Sequence, residues 1–208
     1  MRSAIVLVGG EGRRVNGREK YFFTYLGKTF IERLIESLRP AVDEIVLVGK
    51  SEEHCERFSH LTGVRCVHDI RQGTGPIGGL HAGVHASKGD LLFVCACDMP
   101  CIDTRVVQAL FEALGAYDAA IPSWDSEMLE PLHAVYRKEP LQRYLDNPPS
   151  LSLRSMIKDL NVIYVPVERL RTIDPDLSTF TNINKLEDME NLLPGDPHDR
   201  DSGAGHIA

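Results

Sequence analysis

The segment that follows the first apolar stretch of the chain, LVGGEGRRVNGREK (residues 7–20), combines glycines with basic side chains. In a glycine-rich turn, successive backbone N–H groups can point together at a bound phosphate, and no Cβ keeps the ligand away. The glycines concerned are Gly9, Gly10 and Gly12. Arg14 and Lys20 would bring positive charge to a departing pyrophosphate. The segment therefore predicts a phosphate-binding loop, and its four basic residues make a plain surface turn the less favoured alternative.

The sequence does not match two other glycine-rich motifs that bind phosphate groups. A dinucleotide fingerprint that starts at Gly10 needs a third glycine where the chain has Val15. It also needs an acidic residue after the second strand, where the chain has Lys50. A P-loop ending in GKS (49–51) needs a glycine at the position of Glu44. Neither a nicotinamide cofactor nor a P-loop is predicted.

Two carboxylates follow later apolar segments. Asp69 comes directly after VRCVH (64–68), and Asp98 comes shortly after LLFVCA (91–96). Open α/β sheets bind ligands at the carboxyl ends of their strands, so both side chains are expected at that edge. Because Asp103 is better placed to cap the next helix, Asp98 is free to hold Mg²⁺ with substrate phosphates. A phosphate loop and a carboxylate at one edge predict nucleotidyl transfer.

The histidines and cysteines give weaker signals. His81 and His85 are four residues apart on a predicted short helix, which could bind a metal, but the glutamate of the zincin pattern is missing. The histidines of the chain are otherwise not spaced as a metal cluster. The odd number of cysteines and the lack of a secretory context predict reduced thiols packed as small apolar side chains. They are Cys55, Cys66, Cys95, Cys97 and Cys101.

The elements that must position these residues alternate along the chain. Thr29 and Glu32 form a capping-box pattern at the start of a helix over 29–38, and a second helix is predicted over 103–115. Apolar segments predict strands at 3–8, 44–48, 64–68, 91–96, 118–122, 131–136 and 162–167. The alternation predicts an α/β fold with a three-layer α/β/α, Rossmann-like architecture and a mostly parallel mixed sheet. The last two strands are expected to extend the edge of that sheet, with an antiparallel direction left open.

Composition limits the function. The chain has 208 residues, is 43% hydrophobic and carries a formal net charge of −7, which argues against general binding to nucleic acid or a membrane surface. Its start lacks the pattern of a signal peptide, so a cytoplasmic location is expected. Residues 1–193 are predicted to form a single domain. Residues 194–208 have almost no apolar content and are predicted to be a disordered tail.

The quoted motifs resemble those of a known family. LVGGEGRRVNGREK is similar to the L-A-G-G-x-x-x-R-M-G-x-x-K signature of nucleotidyltransferases with a Rossmann-like fold. Together with four further segments, it resembles the molybdenum cofactor guanylyltransferases over residues 4–190. Asn182 and Asn184 narrow the resemblance to this subfamily. The further segments are HDIRQGTGPIGGLHAG, LLFVCACDMP, EPLHAVYRK and FTNINKLEDME.

The resemblance implies transfer of a guanylyl group from GTP to the phosphate of molybdopterin, with Mg²⁺ as cofactor and pyrophosphate as product. It implies no nucleic-acid or membrane partner and leaves open cofactor-delivery proteins and a monomeric or small homo-oligomeric state. Carried over by position, Lys20, Arg14 and Asp98 would be catalytic, with Asp98 on the metal. Asn182 and Asn184 would bind the acceptor. The nucleotide-binding residues would be Leu7, Gly9, Gly10, Gly12, Lys20, Asp69, Gly75 and Asp98.

The sequence also departs from the family pattern. Val15 and Asn16 replace the usual Met-Gly, and the asparagine that the family leads one to expect near the end of the second strand is Val48 or Gly49. Transfer from CTP, or to another phosphorylated acceptor, therefore stays an alternative. A non-catalytic nucleotide-binding protein is a third possibility, disfavoured because a binder does not need Lys20 and Asp98 together. Trp124, in SWDSEMLEP, lies either over the acceptor site or on an ordinary surface loop.

Overall fold

The computed structural model describes residues 1–9, 22, 24–25, 27–71, 73–125 and 128–182. Within these ranges the strands are β1 (Arg2–Leu7), β2 (Thr24–Tyr25), β3 (Lys28–Thr29), β4 (Glu44–Gly49), β5 (Arg65–His68), β6 (Leu91–Ala96), β7 (Ala119–Ser123), β8 (His133–Arg137) and β9 (Val162–Pro166). The helices are α1 (Phe30–Leu38), α2 (Glu52–Glu56), α3 (Pro76–Ala86), α4 (Thr104–Ala113), α5 (Lys138–Asp146), α6 (Leu153–Asp159) and α7 (Val167–Leu170). The predicted tail, 194–208, lies outside the described residues.

Seven of the strands form one mixed sheet in the order β5-β4-β1-β6-β8-β7-β9, and β2 and β3 form a separate antiparallel pair. Strands β5, β4, β1 and β6 are parallel to one another. Strand β8 runs antiparallel between β6 and β7, and β9 lies at the edge, parallel to β7. The expectation of two added edge strands was therefore right for β9 and wrong for β8. Its position between β6 and β7 buries four consecutive residues of β8, His133 to Tyr136.

The side chains of β1 alternate between two cores, as the pleat of a strand requires. Ala4 and Val6 belong to the core that contains residues of α1 and α4. Ile5 belongs to the core that contains residues of α3, α5 and α6. This arrangement confirms the predicted three-layer α/β/α architecture. In the part of the chain that the structure describes, no helix is both long and apolar enough to cross a bilayer.

Both predicted helix starts are confirmed. Thr29 Oγ1 accepts a hydrogen bond from the Glu32 N–H (3.3 Å), and the Glu32 carboxylate accepts one from the Thr29 N–H (2.7 Å). The Asp103 carboxylate accepts a hydrogen bond from the Arg105 N–H (2.8 Å) at the start of α4. Each cap satisfies backbone N–H groups that the helix itself leaves free, which contributes about 1 kcal/mol.

The expectation that all five cysteines are reduced is wrong for one pair. Cys55 of α2 and Cys66 of β5 form a disulfide, with their Cα atoms 5.4 Å apart. Because α2 follows β4 and β5 pairs with β4, the end of the short helix comes to lie beside the neighbouring strand. Cys95 is a buried thiol that forms no disulfide, and Cys97 and Cys101 are half-buried thiols outside the disulfide.

Candidate active site

The carboxyl ends of β1, β4, β5 and β6 meet at one edge of the sheet. Backbone hydrogen bonds continue past the strands and join their loops there. They run from the N–H groups of Val8, Asp69 and Cys97 to the carbonyl oxygens of Val48, Gly49 and Leu7, at 3.0, 3.1 and 3.2 Å. The loops that carry Gly9, Asp69 and Asp98 therefore leave the sheet side by side, as predicted for a ligand site.

The loop after β5 is held tightly against the first turn of α3. Asp69 Oδ1 accepts a hydrogen bond from the Arg71 N–H (2.7 Å), which closes a turn directly after the strand. A Cβ at Gly78 would lie 2.5 Å from Asp69 Oδ2, so glycine is required for this approach. Gly75, the residue before α3, has a φ of 60°, which also favours glycine. These residues fix the position of the Asp69 carboxylate beside the start of α3.

Asp98 offers an unused carboxylate oxygen at the same edge. Its Oδ1 atom is buried and accepts no hydrogen bond from any described residue. A buried polar atom without a partner is costly, and a bound cation or an ordered water would relieve that cost. The residues present therefore fit Mg²⁺, which prefers carboxylate oxygens together with phosphates and water.

Glu130 is a second acidic residue near Asp98, and it was not among the predicted site residues. Burial raises the pKa of its carboxyl, a hydrogen bond from Trp124 Nε1 (2.8 Å) lowers it, and the negative charge of Asp98 raises it. Glu130 precedes β8, which starts beside the end of β6 because the two strands are antiparallel. The signals in the sequence were its positions near the end of SWDSEMLEP and at the start of EPLHAVYRK.

An aromatic cluster joins the loop of Trp124 to the segment before Asn182. The ring centroids of Trp124 and Phe180 are 5.8 Å apart, and those of Phe180 and His133 are 4.7 Å apart. His133 is fully buried, and burial lowers its pKa to about 3, so the ring stays neutral at physiological pH. Asn182 is exposed and follows Phe180 by two residues. Asn182, one of the two predicted acceptor residues, therefore lies two residues after Phe180, whose ring contacts that of Trp124.

Apart from Asn182, the predicted site residues divide into two groups. Leu7, Gly9, Asp69, Gly75 and Asp98 lie in the described part of the chain, at the ends of parallel strands or in the loops that follow them. Five others lie outside the described residues: Gly10, Gly12, Arg14, Lys20 and Asn184.

The end of β4 offers no polar side chain to a nucleotide base. Val48 is 2% exposed, and a Cβ at Gly83 of α3 would lie 3.1 Å from its Cγ2 atom, so it packs into the core. The space for a side chain at Gly49 is occupied by His54 and Cys55, whose Nδ1 and Sγ atoms would lie 3.1 and 3.0 Å from a Cβ. The side chains at these two positions therefore cannot donate or accept a hydrogen bond to a base.

Parallel strands whose carboxyl ends gather glycine turns and acidic side chains define an α/β protein with a ligand site at that edge of the sheet. Residues 4–163 match the family described as the MobA-like NTP transferase domain. The chain belongs to this family and is a nucleotidyltransferase. The resemblance found in the sequence is thereby confirmed.

Relatives named as probable molybdenum cofactor guanylyltransferases align with most of the chain. It is 38% identical over 201 residues to a probable molybdenum cofactor guanylyltransferase of Methanosarcina mazei, covering 92% of this chain and 90% of the relative. It is 34% identical over 197 residues to one of Thermococcus gammatolerans, covering 91% and 98%. A solved structure of molybdopterin-guanine dinucleotide biosynthesis protein A from Archaeoglobus fulgidus superposes with a TM-score of 0.75 at 33% identity, covering 92% of this chain and 96% of that one.

Proposed function

We propose that this nucleotidyltransferase transfers the guanylyl group of GTP to the phosphate of molybdopterin, forming a molybdopterin guanine dinucleotide and releasing pyrophosphate. The proposal rests on the Asp98 carboxylate, which lies at the same sheet edge as the Gly9 and Asp69 loops and whose buried Oδ1 atom has no hydrogen-bond partner among the described residues. The names of the relatives support the choice of GTP and the molybdenum cofactor.

The proposed reaction needs positioning more than acid–base chemistry. An oxygen of the acceptor phosphate attacks the α-phosphorus of GTP, and the bond from that phosphorus to the bridging oxygen breaks. The electron pair of the broken bond leaves with pyrophosphate. Because the attacking oxygen is already an anion, no strong general base is required. The chain supplies alignment of the two phosphates and neutralisation of their charge.

Each group has a proposed part in this scheme. Lys20 and Arg14 would neutralise the charge that develops on the leaving pyrophosphate. Asp98 would hold Mg²⁺, with Glu130 nearby, and the bound ion would supply further positive charge to the phosphates. Gly9, Gly10 and Gly12 would admit the triphosphate close to the backbone. Asn182 and Asn184 would bind the acceptor beside the Trp124 loop.

A thermal-shift titration with GTP, CTP, ATP and UTP, each with Mg²⁺, tests the choice of nucleotide. A nucleotide present at 100 times its Kd stabilises the folded state by roughly 2.7 kcal/mol, so GTP is expected to raise Tm and the others to have little effect. Formation of the dinucleotide from GTP and molybdopterin then completes the test. A larger shift with CTP would favour the cytidylyl alternative, and no shift with any nucleotide would contradict the proposed site.

Two neighbouring glycines of α3 test the Asp69 loop. Gly78→Ala is expected to lower GTP affinity at least about tenfold (roughly 1.4 kcal/mol) because the new Cβ would collide with Thr74 and Asp69. Gly79→Ala is the control, since its Cβ would meet the flexible end of Leu7 at 3.2 Å. Both changes gain up to about 1 kcal/mol of helix propensity. Equal GTP affinities in the two variants, measured by calorimetry, would contradict a role for this loop.

A further inference from the structure

Two histidines and one aspartate meet on the outer surface of the α3–α5 layer. His81 and His85 lie one turn apart on α3, so their side chains share one face of that helix. Asp146 is the last residue of α5. Its Oδ1 atom is 2.6 Å from His85 Nε2 and 3.6 Å from His81 Nε2. One possible ligand atom from each of the three residues lies within 4.8 Å of the others.

The three side chains are carried by well-packed elements. Leu80 and Val84 of α3 share a buried core with Leu141 and Leu145 of α5, so the two helices are fixed against each other. Arg71 also holds the end of α5, since its guanidinium donates hydrogen bonds to the carbonyl oxygens of Leu145 (2.7 Å) and Asp146 (3.4 Å). The backbone positions of the cluster are therefore set without a ligand.

The exposure of the cluster suits a site that is open on one side. The side chain of His81 is 12% exposed, whereas those of His85 and Asp146 are 43% and 48% exposed. One nitrogen ligand is thus held in the protein and two ligands border solvent. An ion could enter without any change in the helices.

The types of ligand atom in the cluster indicate which class of metal ion it would bind. Two imidazole nitrogens and a carboxylate oxygen suit Zn²⁺, Ni²⁺ or Cu²⁺, whereas Mg²⁺ prefers oxygen ligands alone. Tetrahedral Zn²⁺ with bonds of about 2.0–2.1 Å holds its ligand atoms about 3.3 Å apart. The two nitrogen–oxygen distances in the cluster, 2.6 and 3.6 Å, lie on either side of that spacing. Small side-chain rotations would therefore complete the geometry.

We propose that His81, His85 and Asp146 form a second metal site, separate from Asp98, that binds one divalent transition-metal ion, with Zn²⁺ as the preferred probe. The ion replaces the hydrogen bond between His85 Nε2 and Asp146 Oδ1 and links α3 directly to α5. Three protein ligands leave a fourth position for water. This site does not depend on which nucleotide or acceptor the protein uses.

Zinc binding by the untagged, chelator-treated full chain tests the proposal in the absence of nucleotide and Mg²⁺. Competition with a chromophoric chelator is expected to show one Zn²⁺ per chain. His85→Ala and Asp146→Asn, which change half-exposed side chains, should each weaken binding at least about tenfold. His60→Ala, which alters an exposed histidine outside the cluster, should bind Zn²⁺ like the original chain.

Cobalt provides an independent readout, because Co²⁺ at a site with two histidines and a carboxylate gives a visible absorption band. The band is expected in the original chain and in His60→Ala, and it should be lost in His85→Ala at unchanged Tm without metal. Undiminished zinc affinity in His85→Ala and Asp146→Asn would overturn the proposal. Failure of the original chain to take up stoichiometric Zn²⁺ would overturn it equally.

Discussion

Replacing Asp98 by asparagine is expected to lower kcat by about 10²–10³-fold, the usual effect of removing one preorganised electrostatic contact to a transition state. Asparagine keeps the shape of the side chain but removes the negative charge that would hold the cation. The fold should persist, because Asp98 Oδ1 accepts no hydrogen bond from the described residues that the change could break. The rate of pyrophosphate release and the Tm without ligands measure the two effects separately.

Asp90→Asn is the matched control, since Asp90 lies just before β6 and Asp98 just after it. The Asp90 carboxylate is 87% exposed and lies 3.5 Å from the amino group of Met1. An ion pair of this kind contributes about 0–1 kcal/mol to stability, so neither kcat nor Tm should change much. Activity of Asp98→Asn close to that of Asp90→Asn, with the same dependence on Mg²⁺, would reject the proposed metal position.

The strands of this fold could be predicted from the sequence because a strand that is buried on both faces has apolar residues at nearly every position. Residues 91–96, LLFVCA, coincide with β6, and the predicted strand 44–48 differs from β4 by one residue. In β1, Ala4 and Val6 face one layer of helices and Ile5 faces the other, so an apolar residue is needed at each position. An almost continuous apolar run is the result.

The positions of Asp69 and Asp98 at the edge of the sheet could be predicted for a related reason. Each follows a buried parallel strand, and parallel strands end at a common edge of the sheet. Local sequence therefore determined where in space these two carboxylates would lie. Their partners within the site did not have to be known.

Contacts between segments far apart in the sequence could not be predicted from such a local pattern. The apolar pattern of residues 131–136 predicted a strand, but not that it would pair with β6 in the interior of the sheet. The approach of Glu130 to Asp98 follows from that pairing and was missed with it. Asp146 likewise reaches His85 across 61 residues of sequence. The pairing of Cys55 with Cys66 was missed because an odd number of cysteines and the lack of a secretory context do not show which two thiols the fold brings together.

Replacing Lys20 by alanine is expected to lower kcat by about 10²–10³-fold, the second large effect. The lysine ends the motif that resembles the family signature, and its charge is proposed to stabilise the leaving pyrophosphate rather than bound GTP. The loss should therefore fall mainly on kcat, with a smaller change in GTP affinity, because the charge on pyrophosphate develops in the transition state. Single-turnover rates and GTP titrations separate the two quantities.

Lys28→Ala is the control, since it removes another lysine that lies close to Lys20 in the sequence. Lys28 is half-exposed and pairs with the Glu36 carboxylate at 2.7 Å, so its removal should cost at most about 1 kcal/mol of stability and leave kcat unchanged. Because Lys20 and Asp98 are proposed to act on the same phosphates, the double variant Lys20→Ala/Asp98→Asn should lose less than the product of the two single losses. Fully multiplicative losses, or a Lys20→Ala variant as active as Lys28→Ala, would place Lys20 outside the reacting centre.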